Sequence, residues 1–120
     1  MRGFLDDNNA AFLTVDFGQG PMHFQIDTGF DGALAVGDGL FDPSKTLGHA
    51  GDVIADLAAS QVFRYDAWFV EFVWMEEETR TRVLVAPGTD CLIGTALLTP
   101  LRLEIDYEQR TVELMRGKSW

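Results

Sequence analysis

Met22-His23-Phe24-Gln25-Ile26-Asp27-Thr28-Gly29 decides how this chain is read. Met22, Phe24 and Ile26 alternate with His23 and Gln25, so the first five residues form a strand with one apolar face, His23 lying on the solvent side. The strand ends in an Asp, followed at once by Thr and Gly. That order holds a carboxylate on a tight turn. Gly29 lets the backbone approach closely or take positive φ, and the Thr28 hydroxyl can donate a hydrogen bond. A carboxylate that is to do acid/base chemistry needs a partner group, and the chain has only one Asp in this setting.

Working outward, most of the sequence keeps a period of two. Phe12 to Phe17 alternates and Gly18-Gln19-Gly20-Pro21 breaks the pattern before Met22, which predicts a β-hairpin. Ala33 to Val36 is a short apolar strand. Asp42-Pro43, with Gly48 as the stop, predicts a brief helix over residues 43–47. Val53-Ile54-Ala55 and Val62-Phe63-Arg64-Tyr65 flank a tip at Asp56-Leu57-Ala58-Ala59-Ser60. Trp68 to Trp74 is aromatic and β-branched, hence a strand, with Trp68, Phe72 and Trp74 on one face as core or interface. The acidic turn Glu76-Glu77-Glu78 leads to a strand over residues 80–85. Cys91-Leu92-Ile93-Gly94 is a short buried strand, and Thr95 to Leu98 a short helix ended by Pro100. Leu101, Leu103 and Ile105 alternate with charged residues, and Thr111 to Leu114 follows a turn. About eight strands and two short helices make an all-β domain, closed or sandwich-like. No linker or charge block divides residues 1–120, so one domain is expected, with residues 1–10 as a loose N-terminal segment.

The chain has 120 residues, 47% of them apolar, enough for a folded core. Nine basic against 19 acidic residues give a formal net charge of −10, a field that repels phosphate backbones and anionic lipid; nucleic acid and membrane surfaces are poor partners. Cys91 is the only cysteine, so it can form no intrachain disulfide, and it reads as a small buried apolar residue. His23 and His49 show no metal-ligand spacing, so no metal or other cofactor is expected. The absence of an apolar run of membrane-spanning or signal-peptide length predicts a cytoplasmic protein.

The sequence also echoes itself: the strand leading into Asp27-Thr28-Gly29 is matched later by Leu92-Ile93-Gly94-Thr95. With Leu103-Glu104-Ile105-Asp106-Tyr107 and Thr111-Val112-Glu113-Leu114 in the same order, the chain resembles the small, single-lobe retropepsin-like aspartic proteases from about residue 12 to residue 114. The resemblance implies a closed acid-protease β-barrel, no cofactor, and a homodimer that pairs two copies of Asp27 to hydrolyse peptide bonds. It assigns catalysis to Asp27, Thr28 and Gly29, with Thr28 bonding across the dimer axis, and makes Gly94 the structural glycine of the second half. Substrate contact falls to Phe30, Asp31 and Gly32, and to a flap hairpin, Val53 to Tyr65, tipped by Asp56, Leu57, Ala58, Ala59 and Ser60. Flap tips in the family usually carry Gly, and this one has none; Gly51 is the nearest. Two other readings stand beside it. One is a non-catalytic peptide-binding or oligomerisation module on the same fold. The other is a calcium loop, because Asp27, Asp31, Gly32 and Asp38 match positions 1, 5, 6 and 12 of an EF-hand, although Gly29 offers no side-chain oxygen at position 3.

Overall fold

A computed structural model describes residues 1–57 and 61–117, and the side chains of all of these except 55–57 and 61–63. The protein is mostly β. Ten strands run in order: β1 (Arg2–Leu5), β2 (Ala11–Val15), β3 (Met22–Ile26), β4 (Leu34–Gly37), β5 (Gly48–Leu57), β6 (Gln61–Trp74), β7 (Glu77–Ala86), β8 (Cys91–Ile93), β9 (Arg102–Asp106) and β10 (Thr111–Met115). Among the described residues one α-helix, α1 (Thr95–Leu98), follows β8, and a 3-10 turn occupies Pro43–Lys45 where the Asp42-Pro43 signal predicts a helix.

The expected hairpin forms, with Leu13 opposite Phe24 and Val15 opposite Met22. Alternation sorts the faces: Ala11, Leu13 and Val15 are buried while Thr14 is exposed. With Phe17, Phe24, Leu34, Val36, Val70, Val83, Ile93, Val112 and Leu114 they make an apolar core, and no polar or charged side chain among the described residues is buried. Each such aliphatic or aromatic side chain contributes about 1.5–3 kcal/mol on leaving water.

Three expectations are corrected. Residues 1–10 are not a loose segment: β1 pairs with β10 (Arg2 opposite Glu113) and with β2 (Phe4 opposite Phe12). The turn after it is held by Arg110, whose guanidinium donates to the Asp6 carbonyl at 2.8 Å and to Asn9 Oδ1 at 2.8 Å. The sheet does not close into a barrel. Its order is β5-β6-β7-β4-β8-β3-β2-β1-β10-β9, so β5 and β9 stand at open ends, each with a single neighbour. The two runs expected at Val62–Tyr65 and Trp68–Trp74 are one strand, β6, because Asp66 and Ala67 keep pairing with both β5 and β7.

The order places two chain segments for function. β3 and β8 are parallel neighbours, Gln25 opposite Leu92 and Ile26 opposite Ile93. Asp27 and Gly94 therefore emerge side by side from the same end of the sheet. β4 then returns antiparallel to β8, Leu34 opposite Ile93, so the loop between β3 and β4 wraps the end of β8.

Candidate active site

That wrap fixes the Asp-Thr-Gly turn from both sides. The Asp27 N–H donates to the Ile93 carbonyl at 3.0 Å, and the Phe30 N–H closes the turn onto the Asp27 carbonyl at 3.1 Å. From the other side, the Thr95 N–H donates to the Phe30 carbonyl at 2.9 Å, the Ala96 N–H to the Gly32 carbonyl at 3.2 Å and the Gly94 N–H to the Ala33 carbonyl at 3.0 Å. Thr95 adds its hydroxyl to the Phe30 carbonyl at 3.3 Å. The first turn of α1 thus spends its backbone donors on the loop that carries Asp27 rather than on a capping side chain.

Asp27 is half-buried. Its Oδ1 accepts from the Gly29 N–H at 2.9 Å, and Oδ2 has no hydrogen bond among the described residues. A carboxylate with one oxygen committed and the other open is oriented yet still able to take a proton or a water. Gly29 serves by close approach and not by positive φ: a β-carbon there would sit 3.3 Å from Asp27 Oδ1. Gly32 and Gly94 are also demanded by space, since a β-carbon on Gly32 would strike the Phe30 ring and one on Gly94 the carbonyl oxygens of Gly32 and Phe30. Thr28 is exposed, and Asp31 is exposed beside it.

Gly29, Phe30, Asp31 and Gly32 line a cleft of about 570 Å³ with Ala33, Val53, Ile54, Thr81, Arg82, Leu84 and Ala96. The structure thus brings the loop residues Phe30, Asp31 and Gly32 to the foot of the β5–β6 hairpin, which is the expected flap, Val53 standing opposite Tyr65. Asp56 and Leu57 end β5, paired with Val62 and Gln61. The rest of the expected tip, Ala58, Ala59 and Ser60, lies outside the described residues. At the hairpin's base the register shifts between His49 and Gly51, where Gly51 takes φ +88°, a bulge that increases strand twist. Two more open depressions, against Leu114 to Arg116 and against the β9–β10 hairpin, include no residue of the Asp27 loop.

The calcium-loop spacing is not gathered in space. Asp38 turns away to accept from the Gly88 N–H at 3.0 Å, leaving Asp27 without it. The pairing of β5 with β6 does bring His49, Asp52 and Asp66 together, ligand atoms within 4.8 Å of one another, a grouping invisible in the linear spacing. All three are exposed, and Asp52 already faces Arg64 at 3.8 Å. Cys91 is buried, and desolvation pushes its thiol up, away from the thiolate a nucleophile needs.

Sequence reading missed two partners of the site. Thr95 clamps Phe30, and Trp74 donates Nε1–H to the buried Leu97 carbonyl at 3.1 Å, tying α1 to β6. Only the position of Thr95 at the start of a helix hinted at either.

An Asp-Thr-Gly turn locked onto the Leu-Ile-Gly of a parallel neighbour, beside a cleft edged by a long hairpin, is the arrangement of a single retropepsin-like lobe. Among solved structures, a retropepsin-like aspartic protease from Rickettsia conorii matches with a TM-score of 0.61 over 96% of this chain and 86% of that one, at 14% sequence identity. No protein-family model matches the sequence, and no curated protein matches it either. The likeness establishes a retropepsin-like fold. No helix among the described residues is long and apolar enough to cross a membrane.

Proposed function

We propose that the chain is an aspartic endopeptidase whose active site is completed by a second copy of itself, Asp27 coming from each protomer. The observation that carries this reading is the seat of Asp27: its N–H is bonded to the Ile93 carbonyl, its Oδ1 is held by the Gly29 N–H, and its loop is clamped by the N–H groups of Gly94, Thr95 and Ala96. One lobe supplies one carboxylate, and a twofold axis is the economical way to supply the other. Two carboxylates brought within a few Å cannot both ionise, so the pair shares one proton. The ionised member takes a proton from a water as that water attacks the scissile carbonyl; the protonated member donates to the carbonyl oxygen. Thr28, exposed next to Asp27, is the residue that would bond across the axis. The cleft under Val53 and Ile54 would hold the peptide, its volume being in the range of a ligand site.

Asp27→Asn tests the reading. The amide keeps the acceptor for Gly29 but cannot share the proton, so peptide cleavage should vanish while circular dichroism and the association state stay unchanged. Cleavage at the parent rate by that variant would sink the assignment to Asp27, and no cleavage by the parent itself would leave a non-catalytic peptide-binding or oligomerisation module.

A further inference from the structure

Among the described residues Arg82 is the one cation lining the cleft beside the Asp-Thr-Gly turn. The other arginines are engaged. Arg2 faces Glu113, Arg64 faces Asp52, Arg80 faces Glu71, Arg102 faces Glu104 and Arg116 faces Glu77. Arg110 is spent on Asn9 and the backbone of Asp6. Among the described residues Arg82 has neither an ion pair nor a hydrogen bond, in a chain whose net charge of −10 offers carboxylates in excess. Even Asp31, in the same cleft, is not within ion-pair distance.

The strand register explains its direction. Val83 is fully buried in the core, so its neighbours Arg82 and Leu84 project from the opposite face of β7, and both line the cleft. There the walls mix apolar side chains, Phe30, Ala33, Val53, Ile54, Leu84 and Ala96, with Gly29, Asp31, Gly32 and Thr81, and the Arg82 side chain is exposed. A guanidinium attracts a carboxylate, and its planar fork binds both oxygens at once. We infer that Arg82 is a specificity determinant of this cleft, selecting peptides that set an Asp or Glu side chain against its guanidinium. The inference rests on the peptidase reading and names the substrate class for it. The acidic field of the whole chain opposes polyanionic peptides, and Asp31 disfavours a second acid in the cleft. The preferred substrate therefore carries a single acidic side chain among neutral or basic residues.

The test begins with a randomised peptide library digested by the intact protein and read by mass spectrometry. The best-cut sequence is then remade as pairs differing only by Glu or Gln at each position around the scissile bond. At one position the Glu peptide should have a kcat/KM about tenfold above its Gln partner, the scale of one good charge contact. Arg82→Gln should erase that ratio, and Arg82→Glu should shift the preference to Lys, with circular dichroism confirming that both variants fold. A Glu/Gln ratio near one at every position, or one unchanged in Arg82→Gln, overturns the inference while leaving the peptidase reading standing. If nothing is cut, the peptidase reading falls, and fluorescent peptides of neutral sequence made in matched pairs, with one Glu or one Gln at a single position, are titrated onto the intact protein by anisotropy. Tighter binding of a Glu peptide that Arg82→Gln abolishes supports the role of Arg82 in recognition; equal or absent binding overturns it.

Discussion

Gly94 lies so close to the Phe30 carbonyl that no β-carbon fits between them. This contact holds the loop carrying Asp27 against the start of α1, where Thr95 and Ala96 donate to the Phe30 and Gly32 carbonyls. Gly94→Ala should therefore push the two segments apart and break those bonds together. Overpacking of this kind costs about 1–3 kcal/mol, and the obstacle here is backbone, which relaxes least. The expected outcome is a lowered urea midpoint and a loss of cleavage larger than the loss of folded protein accounts for. A variant with parent stability and parent activity would show that the contact does not position Asp27.

Trp74 supports the same region from behind, through its Nε1–H bond to the Leu97 carbonyl. Trp74→Phe keeps an aromatic ring but leaves that carbonyl without its indole donor in a place water does not reach. Leaving one buried acceptor unsatisfied costs about 1–3 kcal/mol, so the denaturant midpoint should fall with little change in slope. An unaltered midpoint would mean the carbonyl finds another donor.

Asp42 gives a pH signature. The Ser44 hydroxyl, donating at 2.6 Å, is the main cause holding its carboxyl below the usual carboxylate range; the Ser44 N–H and the charge of Lys45 add to it. A carboxylate whose folded pKa is depressed binds its proton less readily folded than unfolded. Its stabilisation is present above the unfolded value of about 3.9 and is lost as pH falls through the folded value. The stability difference between the parent and Asp42→Ala should hold steady from neutral pH to about pH 5 and narrow below about pH 4. Thermal melts across that window check it, and a gap that stays constant to pH 2.5 would contradict it.

How much of this was legible in the sequence depended on the range of the interaction. Met22 to Ile26 and Leu103 to Ile105 announce their strands because alternation is local. The Asp27 turn was readable for a related reason, that short turns have narrow chemical requirements, whereas the part of Gly94 came only from the family resemblance. Arg2–Leu5 was not readable as a strand, because what orders it is pairing with Val112 and Glu113 at the far end of the chain. Nor was the open sheet, since closure would require β5 to meet β9, and no local pattern states whether two distant edges pair. Arg82 looked like any solvated strand charge. Its place in the cleft follows only once Val83 is fixed opposite Leu34.

The proposed dimer carries the final prediction. Each protomer bears a formal net charge of −10, so two copies repel, and the repulsion acts over a Debye length of about 30 Å at 0.01 M salt but about 8 Å at 0.15 M. Specific activity per chain should accordingly rise with protein concentration to a plateau, and the plateau should come at lower concentration when salt is raised. Sedimentation should show the same shift in association. Mixing separates a shared site from a self-sufficient chain. When equal amounts of parent and Asp27→Asn exchange freely, only about one quarter of random dimers keep two Asp27 carboxylates, so activity should fall to about one quarter of the unmixed protein at the same total concentration. Retention of about one half would mean that each chain works alone, and the second carboxylate would then have to be sought within one lobe.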